Sequence, residues 1–338
     1  MQFPRAPTRA AAALDAPLTQ SPPQNFAFAL DPTHPPPGLE GAVYAIGNFD
    51  GVHRGHEAVI ARTKALAAER GAPSAILTFE PHPGDYFAGR PVVFRLTPAP
   101  IKTRILRASG LAGVVALSFD AALAQKSAAE FIETVLVARL GVGAVIVGWD
   151  FHFGKARGGT PEFLRQAGAG LGFGVEIIDK VETGQGDERE VVSSSAIRRA
   201  LERGDVEAAA RGLGRDYLVE GVVAPGQQLG RELGVPTANL ALEATSRLAY
   251  GVYAVRARVG DAIYDGVASF GVRPTVEGGG APLLEVHLFD FSGDLYGQTM
   301  TVAFVARLRD ELKFASLDAL KAEMARDMAR ARQALSRK

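Results

Sequence analysis

The ten residues Gly47-Asn48-Phe49-Asp50-Gly51-Val52-His53-Arg54-Gly55-His56 stand between an apolar run, 42–46, and a helical pattern over 57–70. A short buried strand that feeds a glycine-bearing turn and then a helix is the unit from which parallel α/β sheets are built. Glycine lets a ligand approach the backbone closely, and the helix start offers unpaired N–H groups to an anion. His53 and His56, three residues apart, share a helix face and can direct two imidazole N–H groups at one anionic centre; a phosphate fits. On spacing alone, a buried structural histidine pair or half of a metal site also fits. The metal is the weaker of these, because such a pair needs further ligands and no cysteine exists to supply them.

Outward from this turn the same alternation continues. Apolar runs at 75–79, 113–117, 144–147 and 175–178 are separated by helical patterns at 98–108, 127–140 and 161–169, with Gly71 and Gly141 at helix ends. In such sheets ligands bind beyond the carboxyl ends of the strands. From about residue 217 the period changes to two, in segments 217–223, 251–259, 262–270, 283–289 and 301–307. Short, regularly spaced strands of this kind close into an antiparallel barrel or sandwich, which removes exposed edges. A C-terminal helix follows, capped by Ser316 and carrying Leu317, Leu320, Met324, Met328 and Leu335 toward the barrel.

The joint between the halves falls in the glycine-interrupted stretch 203–216, which gives domains at 41–204 and 215–338. Residues 1–40, dense in proline from Pro4 to Pro37, are expected to be a flexible tail. Its apolar stretch 10–14 is too short for a signal-peptide core, and Arg5 and Arg9 give a faint transit-peptide character. A cytoplasmic protein is expected. No repeat is visible.

Bulk composition removes several function classes. The 338 residues are 47% hydrophobic and 22% charged, a globular balance long enough for two cores. Lys plus Arg and Asp plus Glu number 37 each, so no global field exists to hold nucleic acid or an anionic membrane. Without cysteine there is no disulfide framework and no thiolate chemistry. No run reaches the ~18 apolar residues of a spanning helix.

The β half has neither a Gly-x-x-x-x-Gly-Lys-Ser/Thr loop nor a protein-kinase catalytic loop. Its candidate ligand-binding stretch is Gly230-Arg231-Glu232-Leu233-Gly234-Val235-Pro236-Thr237-Ala238-Asn239, where Thr237 and Asn239 offer hard oxygens to Mg²⁺. Taken alone it is a polar turn. Glu285 and His287 share one strand face, which taken alone is the wet face of a sheet. Similarly, Ser193–Ser195 reads as a helix cap, Arg198 as a solvated helix position, His82 as a packed loop residue and Asp150 as a turn former.

Together these segments resemble the bacterial bifunctional riboflavin kinase/FAD synthetase family. Gly47 through His56 carries the His-x-Gly-His signature of nucleotidylyltransferases. Phe79-Glu80-Pro81-His82-Pro83, Leu96-Thr97-Pro98 with Lys102, Gly148 through Gly154, and Val192 through Arg198 resemble its successive motifs in order. Pro236-Thr237-Ala238-Asn239 resembles the riboflavin kinase hallmark, and 251–253, 266–275 and 284–297 its later motifs.

The resemblance implies a Rossmann-like parallel-sheet FMN adenylyltransferase domain, then an antiparallel six-stranded β-barrel riboflavin kinase domain with a C-terminal helix. It implies ATP contacts for Gly47, Phe49, Asp50, Gly55, Ser194 and Arg198, and phosphate contacts for His53 and His56. It implies flavin contacts for His82 and Asp150, Mg-ATP contacts for Gly234, Pro236, Thr237 and Asn239, and the base position for Glu285. ATP, riboflavin and FMN are then the small-molecule partners and Mg²⁺ the metal, with FAD as product; self-association is left open.

The chemistry is consistent with that division. FMN's phosphate is already an anionic nucleophile and needs charge neutralisation rather than a base, whereas riboflavin's hydroxyl is neutral and is helped by a carboxylate. The sequence departs from the family at Ile101, where an acid is common, and at Ser269, where asparagine is common; His152 lies at a variable position and takes no role. Two alternatives remain: a nucleotidylyltransferase for another phosphate, opposed by 236–239 and Glu285, and a non-enzymatic binding barrel, opposed by the intact His53, His56 and Glu285.

Overall fold

The computed structural model describes residues 26–183, 190–226, 234–272 and 282–337. They form two compact units, one comprising residues 26–93 with Pro98–Ser193, the other Phe94–Thr97 with 194–337.

The first unit is a six-stranded parallel sheet. Its strands are β1 (Ala27–Leu30), β2 (Val43–Ile46), β3 (Ser74–Glu80), β4 (Gly113–Ser118), β5 (Ala144–Gly148) and β6 (Gly174–Ile178), in the order β1-β4-β3-β2-β5-β6. Its strands read as continuous apolar runs because both faces are covered. Val43, Ala45, Ile76 and Ile146 face helices α1 (Arg54–Arg70) and α3 (Ala99–Ala108), while Tyr44, Leu77, Val115 and Val145 face Phe131, Ile132, Val135 and Leu136. Between β3 and α3 lies the short α2 (Pro83–Ala88), and α4 (Ala121–Ala124) follows β4. Helix α5 (Ala128–Glu130), capped by Ser127, runs on as a π-helix over Phe131–Arg139, and α6 is Pro161–Leu171.

The strand order reverses at β2, which has β3 on one side and β5 on the other. The turn after β2 therefore sits at the switch point, where sheets of this class leave a crevice for ligands.

Residues 26–40 correct the expectation of a tail. β1 pairs in parallel with β4 at the sheet edge, and Leu39 is fully buried. Pro32 and Pro35–Pro37 come after the strand rather than inside it, so they end β1 without breaking its ladder. Residues 1–25 of the expected tail lie outside the described residues.

The second unit is antiparallel. Its strands are β9 (Tyr217–Val222), β10 (Ala238–Ala241), β11 (Gly251–Val259), β12 (Ala262–Val272), β13 (Pro282–Leu288) and β14 (Thr299–Arg309), ordered β10-β13-β12-β11-β14-β9; β7 (Glu182–Thr183) and β8 (Glu190–Val191) form a separate small ladder in the first unit. The sheet curls until its ends meet, among the described residues at one bridge, where the Ala224 N–H donates to the Asn239 carbonyl at 2.9 Å. The enclosed core holds Tyr253, Phe270, Phe304, Leu240 and Leu284. Helix α7 (Ser194–Glu202), which falls before the expected joint, contributes Ile197 and Leu201 to this same core. The joint region, which fitted neither pattern in the sequence, contains helix α8 (Val206–Leu213), capped by Asp205 and ended by Gly214 at φ 76.

The last helix, α9 (Leu317–Ser336), is capped by Ser316 as expected, but its buried face is partly ionic. Leu317 is exposed, Ala331 and Leu335 pack with Phe289 and Val305, and the turns before them bury Glu323 and Asp327. Arg309 at the end of β14 forks onto Asp327, with Nη2 to Oδ2 at 2.7 Å and Nε to both oxygens at about 3 Å, while Arg326 and Arg330 cover Glu323. Removing one member of a buried pair strands the other. Asp327→Ala is expected to destabilise the second unit by an amount near the lower end of about 3–5 kcal/mol, measured by urea unfolding.

In the first unit Tyr44 is fully buried and its hydroxyl has no hydrogen-bond partner. Burial, reinforced by the Glu40 charge, pushes its ionisation far upward. Tyr44→Phe removes an unsatisfied group and keeps the ring. The thermal midpoint is expected to hold or rise, and a loss of more than about 1 kcal/mol would show that the hydroxyl has a partner after all.

Candidate active sites

At the switch point, β2 ends at Ile46 and the backbone passes through positive φ at Phe49 (49°), Gly51 (91°) and Val52 (39°) before α1 begins. Positive φ in a buried, β-branched valine is strained, and such strain persists only where the surroundings fix it. His53 is not on the helix face, as its spacing suggested, but is the N-cap itself. Its Nδ1 accepts the His56 N–H and the His56 Nδ1 accepts the His53 N–H, each at 3.3 Å. The rings stack with centroids 3.7 Å apart, 16° from parallel. Since each Nδ1 accepts, the neutral tautomer carries its proton on Nε2, so the turn holds two parallel imidazoles whose Nε2–H groups are donors. Gly55 leaves room beside them: a Cβ there would lie 3.0 Å from His53 Cε1, and the ring would have to give by a few tenths of an ångström.

Beneath the turn is a buried cation that sequence reasoning had flagged without a role. Lys102, on α3, is 3% exposed, and its Nζ donates to Glu80 Oε1 at 2.5 Å, to the Asn48 carbonyl at 3.3 Å and to Thr78 Oγ1 at 3.4 Å. The Thr78 hydroxyl also donates to the Asn48 carbonyl, at 3.2 Å. Lys102 therefore ties the first residue after Gly47 to the end of β3, and with its charge spent on Glu80 it acts as a tether for the turn. His82 caps α2 through Nδ1, accepting the Gly84 N–H at 3.0 Å, and its Nε2 lies 3.5 Å from the Asn48 amide.

An aromatic cluster that the sequence reading did not single out stands after β3 and β4. Tyr86, Phe87 and Phe119 meet edge to face, with centroids 5.3–5.7 Å apart, and Phe87 is 71% exposed. Its signal was available in Tyr86-Phe87 and Phe119, each just beyond a strand. Asp150 lies exposed after β5, and the His152 Nδ1 binds the Asp150 carbonyl. Ser194 and Arg198 are on α7, in the second unit, where Arg198 Nε donates to the Phe94 carbonyl at 2.7 Å.

In the second unit, a cleft of about 1030 Å³ opens on the outer face of the curled sheet, against α9. One cross-strand row runs into it: Asn239 on β10 pairs with Glu285 on β13, Glu285 with Ser269 on β12, Ser269 with Val252 on β11, and Val252 with Arg309 on β14. All five line the cleft, as do Pro236, Thr237 and His287. Along β13 the core takes Leu284, Val286 and Leu288, so Glu285 and His287 face outward. The expected wet face is thus a cleft wall, completed by Leu320, Met324 and Met328 of α9. Gly234, at φ 78, opens the described part of the candidate stretch 230–239; Gly230–Leu233 and 273–281, which include parts of two expected motifs, lie outside the described residues. Among the described residues no group of three or more His, Cys, Asp or Glu could hold a metal ion.

A doubly wound sheet with a histidine-capped turn at its switch point, followed by a curled antiparallel sheet whose cleft holds a carboxylate, defines a two-domain transferase. Residues 36–196 match the FAD synthetase family model and residues 213–335 the riboflavin kinase model. A bifunctional riboflavin kinase/FMN adenylyltransferase of Pseudomonas fluorescens is 45% identical over 302 residues, covering 88% of this chain and 94% of that protein. Proteins of the same description from Escherichia coli K12 and Bacillus subtilis are 40% and 34% identical, over 87% and 85% of this chain and 93% and 90% of theirs. The chain belongs to the bifunctional riboflavin kinase/FMN adenylyltransferase family, with the FAD synthetase domain first and the flavokinase domain second.

A solved Streptococcus pneumoniae chain, described as a macrolide-efflux protein, matches the fold with a TM-score of 0.78 and 30% identity, over 89% of this chain and 97% of that one. In the present protein no helix among the described residues is long and apolar enough to cross a membrane.

Lys102→Met is expected to slow FMN-to-FAD conversion by up to roughly 10²-fold, because a turn displaced by even an ångström misplaces its ligand. Riboflavin phosphorylation by the same preparation should be unchanged. Equal loss of both activities would reject the tether.

Proposed function

We propose that riboflavin is phosphorylated in the cleft beside α9 and FMN is adenylylated at the β2 turn, within functional limits of 215–338 and 41–204. In the first reaction Glu285 accepts the proton of riboflavin's hydroxyl as its oxygen bonds to the γ-phosphorus of ATP and the bond to the ADP oxygen breaks. Thr237 and Asn239 receive the nucleotide phosphates, on a turn shaped by Gly234 and Pro236. The position of Glu285, between Asn239 and Ser269 in one row opening into the cleft, is the observation that carries this assignment.

In the second reaction an oxygen of the FMN phosphate bonds to the α-phosphorus of ATP and pyrophosphate leaves. No base is required, since the nucleophile is already ionised. The Nε2–H groups of His53 and His56 donate to the phosphates as charge shifts toward the leaving group. Gly47, Phe49, Asp50 and Gly55 shape the approach, and Ser194 and Arg198 are assigned to ATP on the family motif. The exposed ring of Phe87, backed by the half-buried Tyr86 and Phe119, offers the apolar platform that a flavin ring stacks on, and His82 and Asp150 are assigned to the flavin.

Mg²⁺ suits chemistry of this kind: it is a hard ion that keeps several waters and takes few protein ligands beside phosphate oxygens, which agrees with the neutral oxygens of Thr237 and Asn239 in the kinase cleft and with the ATP phosphates used in both reactions. It neutralises phosphate charge when bound. A cytoplasmic setting fits ATP-dependent chemistry, and the small-molecule substrates account for the site residues without a protein partner.

The test is chromatography of products from riboflavin, ATP and Mg²⁺. Glu285→Ala should lower FMN formation by about 10²–10⁴-fold and leave conversion of supplied FMN intact. His53→Ala with His56→Ala should do the reverse, by about 10² or more. Joint loss of both activities in folded variants would defeat the two-site assignment.

A further inference from the structure

The start of β10 poses a local hydrogen-bonding problem. Ala238 pairs with Val286, and continuing that register by one residue sets Thr237 opposite His287. The ladder cannot run on past this point, because Pro236 has no N–H to donate. Its carbonyl still needs a donor. The His287 Nδ1 lies 2.8 Å from the Pro236 carbonyl oxygen. A carbonyl only accepts, so the proton of this bond is on Nδ1, and in the neutral ring Nε2 is left as an acceptor. The side chain of His287 therefore takes over where the backbone ladder stops.

The chain places this bond beside the chemistry assigned above. His287 is two residues from Glu285 on the same outward face of β13, and both line the cleft. Pro236 precedes Thr237, and Asn239, two residues beyond, stands in register with Glu285. A solvated histidine on an open sheet face would have no reason to be directed at a specific backbone oxygen 51 residues away in sequence.

We propose that His287 is a positioning residue of the kinase reaction: by donating from Nδ1 to the Pro236 carbonyl, it holds the Thr237 turn at a set distance from the strand that carries Glu285. Two side chains of one strand then serve the two reactants, Glu285 the flavin hydroxyl and His287 the segment that receives the nucleotide. The inference rests on the roles assigned to Thr237 and Glu285, and it adds the element that fixes them relative to each other.

Three variants of the full-length protein test it. The amide nitrogen of asparagine falls close to the place of Nδ1, whereas that of glutamine falls close to Nε2. His287→Asn should therefore keep the bond, and His287→Gln and His287→Ala should lose it. Riboflavin consumption is followed as FMN plus FAD formed, first with ATP varied and then with riboflavin varied.

The Ala and Gln variants are expected to raise KM for ATP about tenfold, the equivalent of one hydrogen bond, with KM for riboflavin unchanged. The Asn variant should behave like the unaltered protein. An unchanged ATP KM in His287→Ala, a joint rise in both KM values, or rescue by Gln as good as that by Asn overturns the proposal. Thr237→Ala and Glu285→Ala are measured alongside. If they retain kinase activity, the site assignment itself is wrong; if they lose it while His287→Ala does not change, only the positioning role fails.

Discussion

The reciprocal hydrogen bonds between His53 and His56 are the constraint on which the first unit's chemistry turns. A helix that starts at the switch point of a parallel sheet brings unpaired N–H groups there whatever the sequence. Serine or aspartate would cap them equally well. Histidine does so with one ring nitrogen and directs the other as a donor, so the residues that satisfy the helix end are also the ones proposed above to meet the phosphates. The stacked rings, the strained Val52 and the glycine at 55 are consequences of placing two imidazoles in that space. Lys102 and Thr78 then hold the Asn48 carbonyl from below, which keeps the turn from relaxing.

The second unit solves a different problem by the same economy. A curled sheet must close or cover its edges, and among the described residues this one closes at a single bridge whose acceptor, Asn239, also lies in the row leading to Glu285. The helix that covers the outer face is held by the Arg309–Asp327 pair at one end and by Ala331 and Leu335 at the other. Its half-buried Met324 and Met328, on either side of Asp327 in the chain, line the cleft, and Met328 also packs against the Phe289 and Val305 cluster.

Much of this was legible in the sequence, for reasons that particular residues make plain. The doubly covered strands announced themselves as unbroken apolar runs, and the change to period two at Tyr217 marked the second sheet. The ordered motifs singled out Glu285, His53 and His56 as candidates. What escaped depended on distance in three dimensions or on competing local signals. β1 was hidden by the prolines that follow it. β10 is four residues long and contains Asn239. Helix α9 was read by its apolar residues, yet its buried ionic face is set by Arg309 on another element, which no periodicity within the helix reveals. The pairing of Lys102 with Glu80, 22 residues apart, was equally invisible.

The seam at Ala224 and Asn239, a single bridge among the described residues, has a mechanical consequence. A closed sheet is softest where its closure is thinnest, and here that place adjoins the segment to which the nucleotide phosphates are assigned above. Filling the cleft would brace the seam, and fraying of the seam would spoil the cleft, so substrate loading and resistance to heat in this half are two expressions of one stiffness.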